Sequence, residues 1–209
     1  MKHKTKIVIT PFLVIILCCI VSVLFNHFID EWAFIPLALV YWSFILLITK
    51  PKWNDLKLML TPKGNNKRWN VIAYIPCLFC IVAFVWGVQS IEWNPFLVLL
   101  SLIFIIINPI AEELFWRKYL FDALECKLWK KVLFTTLLFA LCHPLTWGVF
   151  SVTIRSTIMV FPLLLMGIIW GITYHKTQSI RHCVIAHAIV DTLNLSIWVF
   201  LNLFIPPVV

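Results

Sequence analysis

The sequence predicts an all-α fold: a polytopic membrane helix bundle of about seven transmembrane helices with its N-terminus in the cytoplasm. Three observations predict it. First, 62% of the 209 residues are hydrophobic and 12% are charged, with a mean hydropathy of +0.98, whereas soluble domains carry roughly 45–50% apolar and about 25% charged residues. A globule of this length cannot hide so much apolar surface from water. Second, the apolar residues gather in runs of about 20, the length a helix needs to cross a hydrocarbon core about 30 Å thick. Third, the loops between the runs alternate between basic and non-basic. This composition excludes a soluble enzyme, a disordered chain and a nucleic-acid-binding domain. The net charge of +8 lies between apolar runs, where Lys and Arg hold loops on the cytoplasmic side.

The first span is Ile7 to Phe25, uncharged and preceded by Lys2, Lys4 and Lys6. It is too long for a signal peptide and no small-x-small cleavage site follows it, so a retained helix is expected. Trp32 to Thr49 and Val71 to Val88 follow. Pro95 opens a fourth helix that stays apolar to Ala111 and then meets Glu112, Glu113 and Arg117. Val132 to about Phe150, Thr157 to His175 and Cys183 to Phe204 complete the series. Pro11, Pro36, Pro76, Pro109, Pro144 and Pro162 fall within spans, as membrane helices tolerate. Cys77 and Cys80 form a C-x-x-C inside an apolar helix, without a second pair, and the seven cysteines are read as packing residues rather than a disulfide framework.

The loops set the orientation. Lysines precede the first span; Asp30 and Glu31 follow it. The second loop carries Lys50, Lys52, Lys57, Lys63, Lys67 and Arg68 against Asp55, and the third carries Glu92. The fourth has Lys127, Lys130 and Lys131, the fifth Arg155, the sixth Lys176 and Arg181, and the C-terminus no charge. By the positive-inside rule the N-terminus is cytoplasmic and the C-terminus outside.

Ionisable groups inside a span are expensive and are functional candidates by default. Glu112, Glu113, His143, His187 and Asp191 are such groups, carried by the fourth, fifth and seventh helices. If the fourth and fifth form a hairpin turning near 126–130, Glu112 and His143 lie equally deep, roughly 20 Å from its cytoplasmic end, and can face one another. His187 and Asp191 are four apart and share one face, with Asn194 a turn further on. A site open toward the cytoplasmic half is geometrically allowed. Glu113 points about 100° away from Glu112 and stands four residues before Arg117, a helical ion-pair spacing read as structural. A buried carboxylate beside an imidazole suits a general base acting on water.

These residues form motifs. Glu112-Glu113-Leu-Phe-Trp-Arg117 fits E-E-x-x-x-R, Phe139-Ala-Leu-Cys-His143 fits F-x-x-x-H, and His187-Ala-Ile-Val-Asp191 fits H-x-x-x-[N/D]. In this order the motifs, over about residues 95–204, resemble the CPBP (CAAX protease and bacteriocin-processing, or Abi) family of intramembrane proteases. The chain is read as two units: 1–94, three transmembrane helices with a basic cytoplasmic loop that are not characteristic of the family, and 95–204, which the resemblance implies is the protease core. The resemblance implies a multi-pass protein of a prokaryotic cell membrane, a membrane-associated peptide or protein as substrate, and lipids as partners. Glu112 would activate water with His143; His187 and Asp191 would stabilise the oxyanion; Glu113, Arg117, Phe139 and Asn194 would support the site.

One position departs from the family pattern. The family often has Asn where this chain has Asp191, and Asp donates a hydrogen bond only when protonated. Asn194 could supply the amide, or Asp191 could orient His187. No cofactor is implied, although Glu, His, His and Asp are also possible zinc ligands. Two other functions fit these residues: a non-catalytic scaffold or bacteriocin immunity protein, and a small proton-coupled transporter. No internal symmetry supports the last.

Overall fold

A computed structural model describes residues 2–53, 56–57, 60–61 and 66–206, with side chains from residue 8 onward. Asp55 and Lys63, two of the loop charges invoked above, lie outside the described residues, as do the side chains of Lys2, Lys4 and Lys6. The described secondary structure is entirely helical. Helix α1 (Lys2–Ile29) reverses at a short 3-10 turn, Asp30–Ala33, where Asp30 takes a left-handed φ of 49°. Helix α2 (Phe34–Thr49) then packs back against α1.

The third predicted span is two helices, α3 (Lys67–Ile72) and α4 (Ile75–Gly87). Pro76 explains the break: it lacks an N–H, and its ring collides with the carbonyl four residues earlier. The carbonyl of Ala73, freed at the break, accepts a 2.9 Å bond from Trp170 Nε1. Helix α5 (Pro95–Glu113) is capped by the Asn94 side chain, which accepts from Phe96 N at 2.9 Å. It continues through a π-helical segment, Leu114–Leu120, into a last turn at Phe121–Ala123. Helix α6 (Leu128–Thr146) and helix α7 (Val160–Thr177) share the most extensive interface among the described helices. Gly167 lets them approach, since a Cβ there would lie 2.6 Å from Thr136 Cγ2.

The last predicted span, Cys183–Phe204, is divided. Helix α8 (Arg181–Leu193) stops at Asn194; Leu195 takes a left-handed φ of 53°; α9 (Ser196–Phe200) follows. The carbonyl of Asp191 released by this stop is held by Ser196 Oγ at 2.9 Å. Among the described residues five stretches are long and apolar enough to cross a membrane: Val8–Thr49, Lys67–Gly87, Pro95–Ala123, Leu128–Val149 and Thr157–Thr177. The first is 42 residues long and contains both α1 and α2. With 13 residues, α8 spans only about 20 Å.

One continuous core joins the N-terminal helices to the rest, with α1 on α6, α2 on α5 and α4 on α8. A smaller apolar cluster of Leu114, Phe121, Val132, Tyr174 and Ile180 sits where the basic loops meet. At the other end Asn202 ties three segments together, donating to Glu31 Oε1 at 3.1 Å and to Phe150 O at 2.9 Å and accepting from Val152 N at 2.9 Å. All seven cysteines are free thiols; Cys18, Cys77, Cys80, Cys142 and Cys183 are buried packing residues, with Cys77 Sγ donating to Ala186 O at 3.4 Å, whereas Cys19 is half-buried and Cys126 exposed.

Candidate active site

Glu112 and Glu113 close α5, and the chain enters a π-helical turn at the next residue. Such widened turns are rare and recur at functional sites. Both glutamates and Arg117 are buried, with at most 1% exposure. Arg117 Nε lies 3.2 Å from Glu113 Oε2, the ion pair that the spacing predicts. The contact is Coulombic rather than an aligned hydrogen bond, and neither terminal guanidinium nitrogen has a hydrogen-bond partner among the described residues. The cation rests instead over aromatic faces, 4.7 Å from the Phe139 ring centroid and 5.8 Å from that of Trp170, a favourable placement for a desolvated guanidinium.

Helix α8 brings His187 against this pair. Its Nδ1 is 3.1 Å from Glu113 Oε1, and an ionised carboxylate only accepts, so Nδ1 carries the donated proton. Its Nε2 lies 3.9 Å from Glu112 Oε2 and 3.7 Å from Asp191 Oδ1. Trp170 stacks on the imidazole with centroids 4.9 Å apart. Asp191 is held in turn by Asn108 Nδ2 at 3.3 Å, and Asn108 Oδ1 accepts from Trp42 Nε1 at 3.1 Å.

Helix α6 supplies His143. Its Nδ1 donates to Phe139 O at 2.8 Å, which fixes the ring and leaves Nε2 as an acceptor in the neutral form. The Phe139 ring contacts His143 edge-on at 4.7 Å and His187 at 6.4 Å. It is the common wall of both histidines and of Arg117.

Asn108, Glu112, His143, His187, Asp191 and Asn194 line one cavity of about 190 Å³. The predicted site residues on α5, α6 and α8 are therefore brought together. No direct Glu112–His143 hydrogen bond occurs among the described residues; the two groups border the same space. Glu113 does more than pair with Arg117: it also holds His187. The two ring nitrogens of one imidazole reach both neighbouring glutamates, which bridges the 100° between them. Asn108 and Trp170 are further members that sequence reasoning missed. Asn108 had a signal, an amide within an apolar run one helical turn before Glu112. Trp170 had none among eleven tryptophans. Among the described residues no three His, Cys, Asp or Glu side chains converge as the ligands of a metal ion would.

Residues 93–193, just under half of the chain, match the model of a family described as type II CAAX prenyl endopeptidase Rce1-like. No curated protein and no solved structure matches the chain. The matched stretch contains all three motifs and stops just before Asn194. Over residues 93–193 the chain is thus similar to the Rce1-like family of type II CAAX prenyl endopeptidases, in agreement with the CPBP resemblance that their motifs carry.

Proposed function

We propose that the chain is an intramembrane endopeptidase that hydrolyses a peptide bond of a membrane-associated peptide or protein, using a water activated by Glu112 and His143. The observation that carries this reading is the convergence of Glu112, His143, His187 and Asp191 from three helices on one cavity. Burying so many ionisable groups in a bundle of apolar helices is costly without a use for them.

Glu112 Oε2 is buried and has no hydrogen-bond partner in the described protein, so it is the acceptor available to a water proton. His143 Nε2, on the opposite wall, accepts the second hydrogen bond and fixes the water. Hydroxide adds to the carbonyl carbon, and the oxyanion receives hydrogen bonds from the Asn194 amide and from Nε2 of His187, which donates from both ring nitrogens as an imidazolium among the carboxylates of Glu113, Glu112 and Asp191. Donors held in place before the reaction need no reorganisation as charge develops. Collapse of the intermediate breaks the C–N bond, and the proton held by Glu112 passes to the departing amine. Glu113 and Arg117 fix the ring of His187, while Asp191 orients its Nε2 edge. This scheme needs no metal. Residues 95–204 carry the chemistry and 1–94 wall it in, with seven crossings and a cytoplasmic N-terminus.

The test uses purified protein in detergent and a proteome-derived library of membrane peptides. Glu112→Gln and His143→Ala each lower cleavage by about 10²–10⁴-fold, the usual contribution of a positioned acid or base, with unchanged thermal unfolding. Exhaustive chelation leaves wild-type cleavage unchanged. Full activity in either variant overturns the mechanism, and loss on chelation restored by zinc overturns its metal independence.

A further inference from the structure

The cavity is asymmetric along the bundle. On α5 its lining residues run from Glu112 back through Asn108 to Phe104, toward the start of the helix at Pro95. On α6 they run from Phe139 through His143 to Trp147, away from Lys127. On α8 and α9 they run from His187 to Phe200, away from Arg181. On α7 they occupy the first turns, Pro162 to Met166, the end remote from Lys176. Pro76 on α4 stands at the level of His187, because neighbouring Cys77 bonds to Ala186 O. No described residue of 123–128 or 177–181, where the basic loops lie, borders the cavity.

Toward those loops the site is sealed. Trp170 lies flat on His187. Beyond it Leu114, Phe121, Val132, Tyr174 and Ile180 form a layer in which no member is more than 9% exposed. The other direction ends in a rim of Phe79, Ala83, Met159, Pro162, Leu165 and Pro206, none of them fully buried. The rim is apolar throughout and continuous with the space in front of Glu112.

We infer that the substrate reaches Glu112 from the membrane half opposite the basic loops, as an extended apolar peptide segment passing the rim at Met159 and Pro206. The inference rests on the protease reading for its chemistry and on the cavity for its direction. With the basic loops in the cytoplasm, the substrate is a membrane-inserted protein or peptide cut near its non-cytoplasmic end. A tail presented from the cytoplasm meets the sealed layer.

The test has two arms, and the first needs no catalysis. Spheroplasts expressing Met159→Cys are treated with a membrane-impermeant maleimide, and labelled peptides are identified by mass spectrometry. Native Cys126, exposed beside Lys127 at the basic end, reports the opposite face. Labelling of Met159→Cys in intact spheroplasts, and of Cys126 only after permeabilisation, is expected; the reverse pattern overturns the inference. In the second arm, purified Met159→Cys is assayed before and after attachment of a bulky maleimide, alongside wild type labelled at Cys126. Loss of cleavage on modification at 159 but not at 126 is expected, and retention at 159 overturns the proposed path. If wild type cleaves nothing, the protease reading fails, and the labelling arm still decides the direction of the opening.

Discussion

Arg117 is a full positive charge with no exposed surface, held by one carboxylate and two aromatic faces. Removing one partner of a buried ion pair leaves the other uncompensated, at about 3–5 kcal/mol, whereas replacing both by apolar residues is often close to neutral. Arg117→Leu is therefore expected to lower the thermal stability of the detergent-solubilised protein sharply. Glu113→Leu/Arg117→Leu recovers most of the stability without recovering cleavage, because His187 Nδ1 has lost its acceptor. A double variant that is both stable and active would show that Glu113 acts on folding alone. The candidate residues were legible because charge in an apolar run is conspicuous and because motif order and depth agreed. The Glu113–His187 bond was not legible. Spacing along one helix assigns directions to side chains but says nothing of a ring from another helix that spans two of them. Asp191 was legible as a polar position, yet its partner Asn108 emerged only from the packing of α5 on α8.

The contact between α6 and α7 turns on one methyl-sized space. A Cβ at Gly167 would meet Thr136 at 2.6 to 3.0 Å on three atoms, whereas at Gly171 the nearest atom, Phe121 Cε2, is 3.6 Å away. Gly167→Ala is expected to destabilise the bundle by about 1–3 kcal/mol, as overpacking does, while Gly171→Ala costs little. Thermal unfolding of the two variants side by side distinguishes them, and equal stability would contradict the described approach of α6 and α7. Hydropathy located these helices well but not their interruptions. Pro76 breaks a helix, whereas Pro109 and Pro144 lie within theirs, because the outcome depends on whether neighbours can serve the freed carbonyl, as Trp170 does at Ala73. The stop after α8 has no Gly or Pro to announce it. Leu195 adopts its left-handed conformation among Asp191, Asn194 and Ser196, and the Ser196 hydroxyl serves the released carbonyl.

For the whole molecule, the seven crossings proposed above would put the termini on opposite sides. Epitope tags at the two ends are expected to differ in accessibility, with the N-terminal tag detected only after spheroplasts are permeabilised and the C-terminal tag detected before. Detection of both tags from one side would require an even number of crossings. Alternation of charged loops, rather than helix length, carries this expectation, since α8 is too short to announce itself as a span and α1 and α2 share one stretch.

The apolar layer of Leu114, Phe121, Val132, Tyr174 and Ile180 has an electrical consequence as well. A membrane voltage falls mainly across material that excludes water and ions, at about 2.3 kcal/mol per elementary charge per 100 mV. With a solvent-sized cavity on one side of the layer and the basic loops on the other, most of that drop lies across the layer itself if the cavity is wetted from its rim. Glu112 and His187 then share the potential of the compartment that wets the cavity. Their proton exchange with that compartment does no work against the field, and an energised membrane neither drives nor stalls it.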